Sequence, residues 1–353
     1  MILRIGVLMF SKENLQRALK RFDRQLSGPL VEFSEQFLYG HREILIDYAG
    51  LPDDALIKGS LEHGWALDSG RGIRRLRGGR NIYLSWSSDR VARSQIESPR
   101  TVPIGAPFAY LVEKIGQQKI DKLSSRAKGV LYFPAHGTEF IQQNVENQIR
   151  IFQNQYDSNE STVCLYWGEF INPAIKSAYE RVGFKVICAG FSGQMEHTGL
   201  GYSARKLAGS PMGGRPNFLL HTLKFLTSYQ TLVMGGLGSI CFYAAYIGKE
   251  FSILDDYYNS EIFYMNSNHR IPMVEMPNEL RYRTFVEEKV GSKFSEINFS
   301  SPEFRNLAQA ELGKSDLLSP SQLHELLLPE ITFEANPLSI DVYRENLRNL
   351  LEH

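Results

Sequence analysis

Thr231-Leu232-Val233-Met234-Gly235-Gly236-Leu237-Gly238-Ser239 runs from a short apolar strand through a glycine-rich turn into the helix-length segment Ile240-Cys241-Phe242-Tyr243-Ala244-Ala245-Tyr246-Ile247-Gly248. A short, continuous apolar run bounded by glycines suits a strand covered on both faces. Glycines let a backbone approach a ligand closely, and the N–H groups at a helix start favour an anion such as phosphate. Gly236, Gly238 and Ser239 are therefore candidate phosphate ligands. The spacing matches neither G-x-G-x-x-G nor the Walker pattern, so it implies no dinucleotide or ATP motif. A tight turn without a ligand is the structural alternative.

The same grammar extends outward between about 128 and 256. Val130-Leu131-Tyr132-Phe133, Val163-Cys164-Leu165-Tyr166-Trp167, Val186-Ile187-Cys188-Ala189-Gly190 and Phe251-Ser252-Ile253-Leu254 alternate with helix-length segments. Continuous rather than alternating hydrophobicity, with crossover lengths between the runs, predicts a doubly wound parallel sheet. One crossover helix is legible in detail, with Asn172 as N-cap, Pro173 in the first turn, an end at Arg181 and Gly183 beyond it. His136-Gly137-Thr138-Glu139 follows the first of these strands and belongs to the same carboxyl edge, where open α/β sheets bind ligands. His136 is suited to donate to a phosphate oxygen, Thr138 to add a hydroxyl and Glu139 to accept from a ribose or sugar hydroxyl. A structural histidine is the alternative for His136. Asp255-Asp256 offers a sugar or cation contact, or a helix N-cap.

Upstream, residues 1–125 read as a second, less regular α/β unit. Arg42–Tyr48 predicts a helix, Ile57–Ser60 a strand leading into Glu62-His63-Gly64-Trp65, Asn81–Trp86 another strand, and Val102–Pro107 the close of the unit, with a linker near Gln117–Lys128. His63 is a candidate general base for a sugar hydroxyl and Glu62 its competitor, since either titrates near neutrality when buried or paired. Trp65 reads as packing. Arg71, Arg74, Arg75, Arg77 and Arg80 crowd a glycine-rich stretch and are suited to grip an acceptor phosphate or an anionic lipid surface, with a solvated loop as the alternative. Arg205 and Arg215 lie in or just after the glycine-rich Gly199–Gly214 connection, which is long enough for a lid, and are further anion ligands. Beyond 277 the pattern turns helical and polar. The expected division is 1–125, 126–277 and a helical tail, 278–353.

Composition is in keeping with this. The 353 residues are 43% hydrophobic, which supplies two domain cores. Lys+Arg (39) and Asp+Glu (39) cancel, so no global basic field draws the protein to nucleic acid. The apolar N-terminus is short and reads as a strand, and no run reaches the roughly 18–20 residues of a membrane span. Cys164, Cys188 and Cys241 sit inside apolar runs, which points to reduced core thiols in a cytoplasmic protein. No metal site and no cofactor are expected.

The second unit resembles the nucleotide-binding half of GT-B glycosyltransferases. Phe218-Leu219-Leu220-His221-Thr222-Leu223-Lys224-Phe225-Leu226, Gly238-Ser239 and Tyr243-Ala244-Ala245-Tyr246-Ile247-Gly248-Lys249 resemble bacterial enzymes of surface-polysaccharide synthesis. Residues 57–110 resemble the other half through His63-Gly64-Trp65 and Ile104-Gly105-Ala106-Pro107-Phe108. The resemblance implies two Rossmann-like domains with a donor nucleotide held between them, mostly on the second. It also implies transfer from a nucleotide sugar to a glycan or lipid-linked acceptor, in the cytoplasm or at the inner face of the membrane, which Arg71–Arg80 would contact. The Glu-x7-Glu pattern of many retaining members is missing near the glycine-rich turn, which favours inversion. His136-Gly137 partly resembles the His-Pro pair of CMP-sugar-using transferases, so CMP- and UDP-linked donors both stay open. So do a nucleotide-sugar epimerase and a non-catalytic nucleotide-sugar or glycan-binding component.

Overall fold

The computed structural model describes residues 39–53, 55, 57, 60–62, 64–65, 67, 82–93, 101–135, 141–142, 145–190, 217–254, 263–266, 269–272, 277–327 and 338–352. Helix α1 (His41–Ala49) is bounded by Gly40 and Gly50, both left-handed. β1 (Ser60–Leu61) and β2 (Tyr83–Ser85) come next, then α2 (Ser88–Arg93) and β3 (Thr101–Pro103). The three strands pair in parallel in the order β1-β2-β3. The first strand therefore starts where the expected one ends, and Ile57 lies buried ahead of it.

Pro107 opens α3 (Pro107–Ile115) at the position where a missing N–H costs nothing, and Gly116, at φ 84, ends it. Helix α4 (Gln117–Ser124) follows at once, so the expected linker is largely helical, with Ile120 fully buried.

The chain then alternates through β4 (Val130–Phe133), β5 (Ile141–Gln142), α5 (Val145–Gln153), β6 (Ser161–Leu165), α6 (Trp167–Phe170), α7 (Pro173–Arg181), β7 (Lys185–Cys188), α8 (Phe218–Ser228), β8 (Thr231–Met234), α9 (Ser239–Tyr246) and β9 (Phe251–Ile253). Five of these strands form a wholly parallel sheet in the order β7-β6-β4-β8-β9. Continuous apolar runs have a simple cause here, because alternate residues serve two separate cores. Leu131, Cys164, Leu232 and Met234 enter one, while Tyr132, Val163, Leu165 and Val233 enter the other. Asn172 caps α7 by accepting the Ala174 N–H at 3.0 Å, Pro173 stands in its first turn, and Gly183 takes φ 99 beyond its end.

β10 (Phe263–Asn266) and β11 (His269–Pro272) form an antiparallel pair, and β10 also pairs with β5. Helices α10 (Pro277–Val290), α11 (Pro302–Glu311), α12 (Pro320–Leu327) and α13 (Leu338–Glu352) complete the chain. α11 packs on α9 and α2, α12 on α1, and α13 on both α1 and α8. Arg344 of α13 bridges Asp47 of α1 (3.1 Å) and Asp53 (2.9 Å). One apolar cluster runs from Ile44 through Leu84, Leu232 and Phe304 to Ile340, so both parallel sheets and the C-terminal helices share a core.

Helix α9 is the centre of that core. Apart from Ser239 at its start its sequence is apolar around the whole circumference, so every side must be covered. Trp65 stacks on Phe242 (centroids 4.2 Å apart), Phe108 stacks on Tyr243 (4.2 Å), and Phe304 of α11 meets Phe242 at 5.7 Å.

Candidate functional site

In the order β7-β6-β4-β8-β9 every strand runs the same way, but the order of addition reverses at β4: β6 and β7 are added on one side of it, β8 and β9 on the other. Such a switch point leaves a crevice beyond the carboxyl ends of the two strands. Phe133 and Met234 are in register, so both strands end at the same level. The Gly235 N–H donates to the Phe133 carbonyl at 2.7 Å, closing the two exits on each other. A Cβ on Gly235 would lie 2.4 Å from the Ala135 backbone nitrogen. That contact requires glycine whatever the ligand.

Gly238 precedes α9 with φ −166, an extended conformation open to any residue, and a Cβ placed there meets nothing within 4 Å. Among the described residues, nothing therefore crowds the α-carbon of Gly238 at the helix start. The Cys241 thiol donates to the Gly236 carbonyl at 3.3 Å and fixes the turn from within.

The loop after β1 reaches the same place. The Trp65 N–H donates to the Ser239 hydroxyl oxygen at 2.8 Å, and a Cβ on Gly64 would stand 3.6 Å from that oxygen. Ser239 also hydrogen-bonds Tyr243, whose own hydroxyl is pushed well up in pKa, chiefly by burial. Gly64-Trp65, Pro134-Ala135 and Gly235–Ser239 therefore converge near the start of α9.

Glu62 is buried, and its carboxylate is fully engaged. Oε2 accepts from Ser85 Oγ (3.1 Å) and the Trp86 N–H (3.0 Å), while Oε1 pairs with the Arg90 guanidinium. The Trp86 indole donates to the Glu62 carbonyl at 2.9 Å. Arg90 is buried as well, and its other end approaches Glu311 Oε2 at 3.9 Å. Glu311, the last residue of α11, takes both ends of the Arg93 guanidinium at 2.7 Å and the Trp65 indole N–H at 2.9 Å. Two carboxylates and two guanidiniums thus neutralise one another beneath the loop that carries the candidate base. Buried charges are tolerated only when paired and hydrogen-bonded in this way.

Arg90, Arg93 and Glu311 escaped sequence reading. The two arginines are three apart, which puts them on one face of α2 once that helix is recognised. Nothing local signals Glu311, which lies 218 positions beyond Arg93.

Of the sequence-selected residues, the structure places Glu62, Gly236, Gly238 and Ser239. His63, His136, Gly137, Thr138, Glu139 and Arg215 lie outside the described residues, as do Arg71–Arg80, Arg205 and Asp255-Asp256. Trp65 is a packing residue. Cys164, Cys188 and Cys241 are buried in the core and joined in no disulfide. Among the described residues no group of three His, Cys, Asp or Glu side chains could hold a metal ion, and no helix is long and apolar enough to cross a membrane.

No family model and no curated protein matches the chain. Among solved structures, the wall teichoic acid polymerase TagF is similar at 13% identity and a TM-score of 0.32, over 76% of this chain and 58% of that one. Anabaena HepE in complex with UDP and glucose is similar at 10% identity and a TM-score of 0.30, over 69% of this chain and 61% of that one. The chain thus spans less than two thirds of either.

Proposed function

We propose that this protein is a nucleotide-sugar glycosyltransferase, which passes a sugar from a CMP- or UDP-linked donor to a glycan or lipid-linked acceptor of the cell surface, with inversion. The observation that carries the reading is the convergence at the β4/β8 switch point, where the loop after β1 is hydrogen-bonded to the start of α9. A crevice of that kind accommodates a nucleotide phosphate at a helix N-terminus and brings a second sheet's loop against it. Because the Ser239 hydroxyl is engaged by Trp65 and Tyr243, the backbone N–H groups at the start of α9 are the donors left for the phosphate. His136, Gly137, Thr138, Glu139 and Arg215 add to that pocket in this reading.

Of the two candidate bases, His63 takes the role. Glu62 is occupied by the Arg90 guanidinium and two further donors, so it serves as the anchor of the loop. His63 is next in sequence to Gly64, which packs against Ser239. The reaction belongs in the cytoplasm or at the inner membrane face, with Arg71–Arg80 as the lipid or acceptor contact.

A thermal-shift screen of CMP, UDP, GDP, dTDP and their sugars tests the donor. Ligand binding to the folded state raises its stability by RT ln(1 + L/Kd) at free ligand concentration L, so one nucleotide should stand apart. Silence from all of them removes the proposal. With a donor identified, His63→Ala should abolish transfer to acceptor, and unchanged turnover would clear His63 of the role.

A further inference from the structure

The buried ion cluster sits where it can act on the site, and one route is continuous in hydrogen bonds. Glu311, held by Arg93 in a two-point contact, accepts the Trp65 indole N–H, and the backbone N–H of the same Trp65 holds the Ser239 hydroxyl at the start of α9. Trp65 is locked on the other side by stacking on Phe242 and by an edge contact with Tyr282, centroids 5.2 Å apart. A tryptophan stacked on α9 needs no polar partner for packing, yet a buried indole N–H left without an acceptor is costly. The acceptor it finds is a carboxylate of the C-terminal helix α11.

We infer that Glu311 is a positioning residue, which through Trp65 sets the loop 62–65 against Ser239 and so fixes the spacing between the base-bearing loop and the donor-binding turn. The inference rests on the reading of that turn as the nucleotide site. It assigns to Glu311 a role exerted through Trp65, and it makes α11 part of the site's assembly.

The test uses three substitutions in the full chain. Trp65→Phe keeps the stacking ring and the backbone N–H but removes the indole donor. Glu311→Met removes the acceptor, and Glu311→Gln keeps an amide oxygen for the indole while giving up the charge. UDP and CMP affinities are measured by calorimetry, and amide hydrogen exchange is followed over peptides covering 61–67 and 235–243. Trp65→Phe and Glu311→Met should each weaken nucleotide binding at least fivefold and speed exchange in both peptides. Glu311→Gln should stay within twofold of the parent in both measurements. Rescue by glutamine separates positioning from loss of the ion pairs, because glutamine breaks the ion pairs as methionine does. The inference is overturned if Trp65→Phe exchanges and binds like the parent, or if Glu311→Gln falls as far as Glu311→Met. Should the parent bind neither nucleotide, the functional reading loses its donor, and the exchange measurement alone still decides the positioning role.

Discussion

Glu62 illustrates how a residue's chemistry is set by its neighbours. In sequence it stands beside His63 as a competing base; in the fold it is the counter-charge of a buried arginine. Glu62→Ala leaves Arg90 buried without its carboxylate, and breaking a buried pair from one side typically costs about 3–5 kcal/mol. Glu62→Gln keeps acceptor and shape and should cost clearly less. Urea unfolding of the two variants checks the order, and equal losses would mean that the charge is immaterial. Gly313 makes a sharper demand on the backbone. It has φ 67, and a Cβ there would lie 1.8 Å from the Trp86 carbonyl oxygen. Gly313→Ala therefore combines left-handed strain with a backbone clash and should destabilise by more than about 2 kcal/mol, seen as a lowered Tm. In sequence Gly235 reads only as the first residue of a glycine-rich turn, with Gly236, Gly238 and Ser239 as the candidate ligands. Its reason in the structure, contact with Ala135, was not legible there, because that neighbour lies a hundred residues upstream.

At the scale of elements, the five-stranded sheet was readable because each strand carries a short, largely apolar run and helix-length segments separate the runs. The two-core alternation of Leu131 with Tyr132, and of Leu232 with Val233, is what continuous hydrophobicity encodes. Helix α7 was readable to its caps. Removing the side-chain acceptor with Asn172→Ala should cost about 1 kcal/mol, and Asn172→Asp should cost almost nothing; denaturation midpoints of the pair measure it. The first sheet was less legible. β1 is only two residues long, and its extent is decided by pairing with Tyr83 and Leu84 rather than by local pattern. Helix α4 was read as a linker because Gln117, Gln118, Lys119, Asp121 and Lys122 dominate it. Its buried Ile120 becomes a signal only when α8 is in place to receive it.

For the molecule as a whole, the protonated state of the core governs stability at high pH. Burial pushes the Cys188 thiol up from 9.0 to about 11, against the lowering effect of the Gly190 backbone, and burial raises Tyr39, Tyr110, Tyr132, Tyr243 and Tyr343 as well. The folded state thus holds these protons more tightly than the unfolded chain. Their contribution is complete below the unfolded pKa and is lost as pH rises toward the folded value. For Cys188 that window runs from about 9 to 11, with a slope of at most about 1.4 kcal/mol per pH unit per group. Urea midpoints should hold up to about pH 9 and fall from there to pH 10.5, and Cys188→Ala should flatten the first part of the fall. A profile level to pH 10.5 would contradict it.

The apolar circumference of α9 has a consequence for dissection of the chain. Part of its wall is supplied by Trp65 from the loop after β1, by Phe108 of α3 and by Phe304 of α11. A piece comprising 126–277 alone would keep the main parallel sheet but bare Phe242 and Tyr243 to water, a contiguous greasy surface of the kind that drives self-association. Expressed by itself it should be insoluble or bind a hydrophobic dye strongly, and co-expression with 1–125 and 278–353 should restore solubility. The part of the chain that holds the main parallel sheet is therefore not a portable module: its central helix is completed by the rest of the chain.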